Sequence, residues 1–153
     1  MNKIEGFMVP IITVFDEKDN TVNYELLHDH VDYLIKSGVD VIIANGTTGD
    51  FFSLNHEEKK QVAESIVKHV NGAIPVLIGT TALTTDECKK LSKHAQEIGA
   101  DGVMIAPPFY MPLTKESILK HYENVSKAIS VPILVYNNPI CTGQSLTPEI
   151  ISE

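Results

Sequence analysis

The sequence predicts an α/β chain organised as the first part of a (β/α)8 (TIM) barrel, with about five strands and four and a half helices in residues 1–153. Three observations point there. A strand-then-helix unit recurs about every 30 residues, the pattern of parallel sheets built from crossover units. A hydroxyl, phenol or amide follows nearly every strand: Thr13, Thr47 and Thr48, Thr80 and Thr81, Tyr110, Tyr136 and Asn137. In a barrel these gather at the C-terminal rim, where barrel enzymes place their chemistry. The chain also stops inside a helix that has barely begun, which reads as a single domain cut before strand six. A five-stranded doubly wound sheet, complete in itself, is the alternative. The lack of a phosphate-binding glycine loop after the first strand argues against it.

The elements follow in order. Gly6 to Val14 is the first strand, and Asp16 to Asn20 a polar turn. Asn23 caps a helix through Ser37, with Tyr24, Leu27, Val31, Leu34 and Ile35 at helical spacing and Gly38 as its stop. Val41 to Ala44 is an unbroken apolar run with β-branched residues, as expected of a strand covered on both faces. Asn55 with Glu58 three residues on is a capping box, so a helix runs from His56 to Val70. Val76 to Gly79 is the third strand. Thr84 with Glu87 is a second capping box, for a helix carrying Cys88, Leu91, Ala95 and Ile98 on one stripe and stopped by Gly99. Gly102 to Ala106 is strand four, and Thr114 caps a helix that buries Ile118, Tyr122, Val125 and Ile129. Val131 to Val135 is strand five. Thr147-Pro148-Glu149 is an N-cap with proline at the first helical position. A chain ending at Glu153 would leave strands one and five as edges, and such edges invite association.

The densest chemistry lies after the second strand, in Asn45-Gly46-Thr47-Thr48-Gly49-Asp50. Two glycines bracket two threonines, so backbone N–H groups and hydroxyls can converge on one small ligand. A strand, such a turn and a capped helix make an anion site. A tight βα connection with glycines at its sharp bends gives the same pattern.

Composition narrows the function. Apolar residues make up 43% and charged residues 21%, ordinary values for a globular domain, and the net charge is −8. All 12 basic residues are lysines, so planar bidentate grips on phosphate or carboxylate are missing. With no basic face, nucleic acid is not an expected partner. No apolar run approaches a membrane span, and the N-terminus lacks a signal-peptide core. Cys88 and Cys141 stand far apart without a CxxC partner, which fits a reducing cytoplasm. The six histidines fall in or at the ends of helices, with no acidic ligand set at the strand ends. No metal site is expected, and no cofactor.

Three motifs in order, each after the appropriate strand, carry a resemblance: Gly46-Thr47-Thr48-Gly49-Asp50, Pro107-Pro108-Phe109-Tyr110 and Tyr136-Asn137-Asn138-Pro139. With them the chain resembles, along its whole length, the pyruvate-dependent class I aldolases and lyases. These include dihydrodipicolinate synthase, N-acetylneuraminate lyase and the 2-keto-3-deoxy sugar acid aldolases. The resemblance implies a (β/α)8 barrel, homotetramers of tight dimers, and a Schiff base between a lysine and pyruvate or another 2-keto acid. It implies that Thr48 and the amides of the Gly46–Gly49 turn hold the substrate carboxylate. Thr47 would join a hydroxyl relay with Tyr136, which moves protons as a general acid–base. Tyr110 would complete the relay of the neighbouring subunit. On their own residues, Tyr136 and Tyr110 also read as amphipathic packing groups with a hydrogen-bonded tip.

Two departures from the family pattern bear on chemistry. The Schiff-base lysine lies in the family at the end of strand six, beyond Glu153, and none of the 12 lysines here follows a strand end. In dihydrodipicolinate synthases an arginine two residues after the motif proline grips the carboxylate of aspartate semialdehyde. Here that position is Cys141, a weak neutral donor. Asp50, where glutamate is commoner, is a change of one methylene. The expected function is therefore a Schiff-base aldolase or lyase on 2-keto acids, with aspartate semialdehyde a poor substrate. The synthase of lysine biosynthesis is the alternative, and a non-catalytic half-barrel or keto-acid-binding protein the alternative of another kind.

Overall fold

The computed structural model describes residues 3–153. Its strands are β1 (Met8–Pro10), β2 (Val41–Ala44), β3 (Val76–Gly79), β4 (Gly102–Ile105) and β5 (Ile133–Val135). They form one sheet in the order β1-β2-β3-β4-β5, every neighbouring pair parallel. Spatial order equal to chain order separates the two architectures left open by the sequence. A doubly wound sheet reverses direction at a switch point, whereas barrel strands follow one another around the circle.

Helices α1 (Tyr24–Lys36), α2 (His56–Val70), α3 (Thr85–Glu97) and α4 (Lys115–Ser126) form the crossovers. Each has its expected cap: Asn23, Asn55, Thr84 and Thr114 accept from a backbone N–H of the first turn. The Asn55–Glu58 box is reciprocal. The Thr84–Glu87 box is half made: Glu87 N donates to the Thr84 hydroxyl at 3.2 Å, with no return bond.

Two edge strands are shorter than the sequence pattern suggests. Pro10 ends β1, although Ile11 N still donates to Ile43 O at 3.0 Å. Pro132 delays the start of β5 to Ile133, because proline has no N–H for the ladder. Past β5, the stretch expected as loop holds one turn of helix, α5 (Pro139–Thr142), between the Asn138 cap and Gly143 at φ +69°. The last turn, α6 (Pro148–Ile151), has Pro148 at its start, but Thr147 makes no side-chain cap bond.

Side chains alternate across the sheet. Ile42, Ala44, Val76, Ile78, Val103 and Ile105 join the helix-side core with Leu27, Val31, Ile66, Ala95 and Val125. Val41, Ile43, Leu77 and Met104 form a second cluster on the opposite face, with Met8 and Tyr136 against it. An apolar layer on both faces is what a parallel sheet with a filled interior requires.

Four of the six histidines, which carry no signal in the sequence, tie neighbouring helices together. His28 pairs with Ser65 at 2.7 Å and His69 with Asp32 at 2.8 Å, joining α1 to α2, and the two rings stack 4.1 Å apart. His94 pairs with Glu64 at 2.8 Å, joining α3 to α2. His121 of α4 is buried, with Nδ1 3.0 Å from the Thr85 hydroxyl of α3. Its Nε2 has no partner among the described residues.

Burial pushes His121 from its ordinary 6.5 down to about 4. As pH falls, the unfolded chain takes up this proton near 6.5 and the folded chain only near 4. Stability should therefore drop across that interval, by up to about 3 kcal/mol from this residue. Chemical denaturation from pH 7 to 4 checks this: the native protein should lose more stability than His121→Leu does. Parallel profiles would show that His121 does not titrate in this way.

Candidate active site

The site is built where β2, β3, β4 and β5 end. Asn45 leaves β2 in the left-handed region (φ +55°), buried, with its amide donating to Lys59 O of α2 at 2.8 Å. Its main chain lies so close to β3 that a Cβ on Gly79 would collide with the Asn45 carbonyl; only glycine fits there. The turn then closes on itself, with Gly49 N donating to Gly46 O at 3.0 Å and Asp50 N to Thr47 O at 3.1 Å. The N–H groups of Thr47 and Thr48 have no acceptor among the described residues. Gly49 packs on the Ile11 carbonyl, and the Thr13 hydroxyl donates to Gly49 O at 2.6 Å, bracing the turn from behind.

A cavity of about 320 Å³ opens beside this turn. Of the residues the sequence singled out, Gly46, Thr47, Tyr136 and Cys141 line it. Gly49 and Thr48 do not: Gly49 is buried behind the turn and the Thr48 side chain is exposed. Tyr110 does not line it either. It projects outward, 88% exposed, at φ +83°, a backbone region that costs a non-glycine residue about 1–3 kcal/mol and gathers at functional sites. The expected hydroxyl relay is also differently wired within this chain. The Tyr136 phenol oxygen accepts from the Asn138 amide at 2.8 Å, and no bond joins it to Thr47.

The wall also holds residues that carried no assigned site role, Thr81 among them a rim candidate from the sequence. Phe51 and Phe109 meet edge to face at 6.2 Å, with Lys59 Nζ over the Phe51 ring, 5.4 Å from its centroid. Thr81 lines the cavity and accepts from Ala106 N at 2.9 Å, fixing the end of β4 against β3. Asn138 and Thr142 complete the wall beyond β5. Behind it, the buried Gln144 side chain donates to Pro108 O and accepts from Leu113 N at 2.8 Å. It thereby ties the loop after β4 to the loop after β5. Asn137, a rim candidate from the sequence, exchanges two hydrogen bonds with the Leu146 backbone instead.

Among the described residues no Asp, Glu, Lys or His lines the cavity. A carboxylate entering it would meet free backbone N–H groups, hydroxyls and amides rather than a formal cation. Among the described residues no cluster of three His, Cys, Asp or Glu could hold a metal ion. None of their helices is long and apolar enough to cross a membrane.

Parallel strands in chain order, with a phenol, a threonine and an N–H-rich turn at their C-terminal ends, define the active-site end of a (β/α)8 barrel. Residues 3–153 match the dihydrodipicolinate synthetase family, and the chain belongs to it. It is 43% identical to an uncharacterised DapA-like lyase of Thermococcus kodakarensis, over 95% of this chain and 49% of that one. It is 36% identical to a probable 2-dehydro-3-deoxy-D-pentonate aldolase of Escherichia coli, over 99% and 50%. Among solved structures, YagE of E. coli K12 in complex with pyruvate superposes with a TM-score of 0.94 at 35% identity, over 97% of this chain and 49% of that one. The chain spans about half the length of the curated relatives it matches.

The two cysteines should differ in reactivity. Cys88 is buried, and burial pushes its thiol up to about 11. Cys141 is exposed at the cavity. Iodoacetamide at neutral pH should label Cys141 alone, as read by peptide mass spectrometry. Equal labelling of Cys88 would mean that α3 opens readily.

Proposed function

We propose that the whole protein is a Schiff-base aldolase or lyase acting on pyruvate or a related 2-keto acid. The observation that carries this is one cavity lined by Tyr136, Thr47 and the unpaired N–H end of the Gly46–Gly49 turn. The turn's amides, with the Thr47 hydroxyl, would receive the keto-acid carboxylate. A lysine amine from beyond Glu153 would attack the keto carbon and release water. Loss of a proton from the neighbouring carbon then gives the enamine that adds to an aldehyde. Tyr136 would hand its phenolic proton to the alkoxide formed and recover it in the reverse direction. The pyruvate complex of a structural neighbour and the aldolase name of a relative support this reading.

The assembly proposed is a homotetramer of tight dimers in the cytoplasm. Leu83, Tyr110, Met111 and Ile140 all stand exposed in the segments after β3, β4 and β5. A second copy on this rim would cover them and bring Tyr110 to the neighbouring cavity. A keto-acid-binding protein without turnover is the second reading, favoured by a neutral wall whose free N–H groups can receive a carboxylate without any covalent step.

Borohydride with pyruvate should trap a covalent adduct on the full-length protein, visible by intact mass, and none on the 1–153 chain. No adduct on the full-length protein would favour the binding reading. Tyr136→Phe should lower turnover by roughly 10²–10⁴-fold; an unchanged rate would return Tyr136 to packing.

For the second substrate, Cys141 replaces a cation with a neutral thiol. A charged hydrogen bond is worth about 1.5–3 kcal/mol, so its loss weakens a second carboxylate roughly ten- to a hundredfold. Aspartate semialdehyde should therefore be a poor partner, and an aldehyde of the sugar-acid type a better one. The comparison is kcat/KM for the two before and after Cys141→Arg. Efficient condensation of aspartate semialdehyde by the native enzyme would make it the 4-hydroxy-tetrahydrodipicolinate synthase instead.

A further inference from the structure

Asn138 touches two things at once. Its Nδ2 lies 2.8 Å from the Tyr136 phenol oxygen, and its Oδ1 accepts from Cys141 N at 3.4 Å as the cap of α5. The two bonds determine which way the amide faces. The backbone N–H takes the oxygen, so the nitrogen must face the phenol. The residue itself is held in place, because its carbonyl accepts from Thr142 N at 3.0 Å and from the Thr142 hydroxyl at 2.9 Å. The amide therefore presents a fixed donor to the phenol oxygen from inside the cavity wall.

We propose that Asn138 is a positioning residue for proton transfer by Tyr136, a role that rests on the aldolase reading above. A phenolic hydrogen lies in the ring plane on one of two sides of the oxygen. The Asn138 N–H occupies one side, so the phenol offers its own hydrogen on the other. When that proton passes to a substrate alkoxide, the phenolate keeps the Asn138 N–H as a donor. When the proton returns, the same bond receives a neutral phenol. A donor to the charged form favours that form, so the Asn138 N–H supports the phenolate while the proton is on the substrate. Among the described residues, Cys141 is the only other titratable group on the cavity wall, and no Asp, Glu, Lys or His lines it.

The test uses the full-length protein with Asn138→Asp, Asn138→Ser and Asn138→Val. Asp and Ser keep an oxygen for the α5 cap, but neither gives the phenol an amide donor; Val removes both. The expected result is a kcat lowered roughly ten- to a hundredfold in all three, with KM for pyruvate little changed. The alkaline limb of the kcat/KM profile should move upward by about one pH unit, most in Asn138→Asp. A purely structural cap would instead spare Asp and Ser, lower only the melting temperature of Val, and leave the pH limb in place; that pattern overturns the proposal. A second readout needs no turnover. The difference in phenolate absorbance between a protein and its Tyr136→Phe counterpart isolates the titration of Tyr136. It should shift upward in the Asn138→Asp background, and an identical curve in both backgrounds overturns the proposal. Borohydride trapping on the native protein tests the aldolase reading separately. If no adduct forms there, that reading fails, and the absorbance titration alone decides whether Asn138 governs the phenol.

Discussion

The register of the parallel sheet is the constraint from which the site follows. Ile43 pairs with Leu77, Ile78 with Val103, and Met104 with Leu134. Because side chains alternate with period two, this register sends Val41, Ile43, Leu77 and Met104 to one face and Ile42, Ala44, Ile78 and Ile105 to the other. The alternation continues past the strand ends. Asn45, Thr81, Ala106, Tyr136 and Asn138 fall on the first face and all line the cavity. Thr80, one residue out of phase, turns to the helices and bonds to Ser92 of α3 at 2.8 Å. A slip of one residue in any strand would exchange a wall residue for a strut. The apolar layers therefore hold the register, and the register places the chemistry.

The turn after β2 shows how local strain is offset by neighbours. Asn45 and Asp50 both occupy the left-handed region without being glycine, which costs free energy at each. Asn45 is compensated by its bond to Lys59 O and by the glycine opposite it on β3. The turn is further clamped by the Thr13 hydroxyl on Gly49 O. Three elements thus hold one six-residue turn, and two unpaired N–H groups result at Thr47 and Thr48. Those groups are preorganised: an anion that binds there need not wait for the backbone to order itself.

Much of this was legible in the sequence, and the failures have identifiable causes. The βα repeat, the four long helices and their caps are short-range properties, and Asn23, Asn55, Thr84 and Thr114 cap as expected. Membership of the rim was legible because every strand end falls on the same side. Which rim residue faces inward was not. Thr80 and Thr81 look alike in sequence, and only the register separates them. The Tyr136–Asn138 bond could have been suspected, since residues two apart at a strand end share a face. Gln144 had no sequence signal; its bonds to the loop 107–113 span more than thirty positions. The helix-bridging histidines likewise needed the crossing of α1 with α2 and of α3 with its two neighbours.

Charge is distributed as sharply as polarity. The outer helices carry the ion pairs, such as Lys89–Asp86 and Lys127–Glu123, and the histidine ties. Among the described residues the cavity wall carries no formal charge, and the Lys59 ammonium lies over the ring of Phe51. In such a wall the strongest electrostatic groups are oriented dipoles: the Thr47 amide, the hydroxyls and the Asn138 amide. Dipoles held by the fold cost little reorganisation when charge appears in front of them. They also discriminate by position rather than by sign alone. A ligand with a single carboxylate can place it on the turn and leave the remainder against Phe51, Phe109 and Tyr136. A second anionic group would have only the neutral thiol of Cys141 and the walls to meet it. The same neutrality makes the phenol of Tyr136 depend on its one directed donor, which is why the amide two residues further along the chain matters to it.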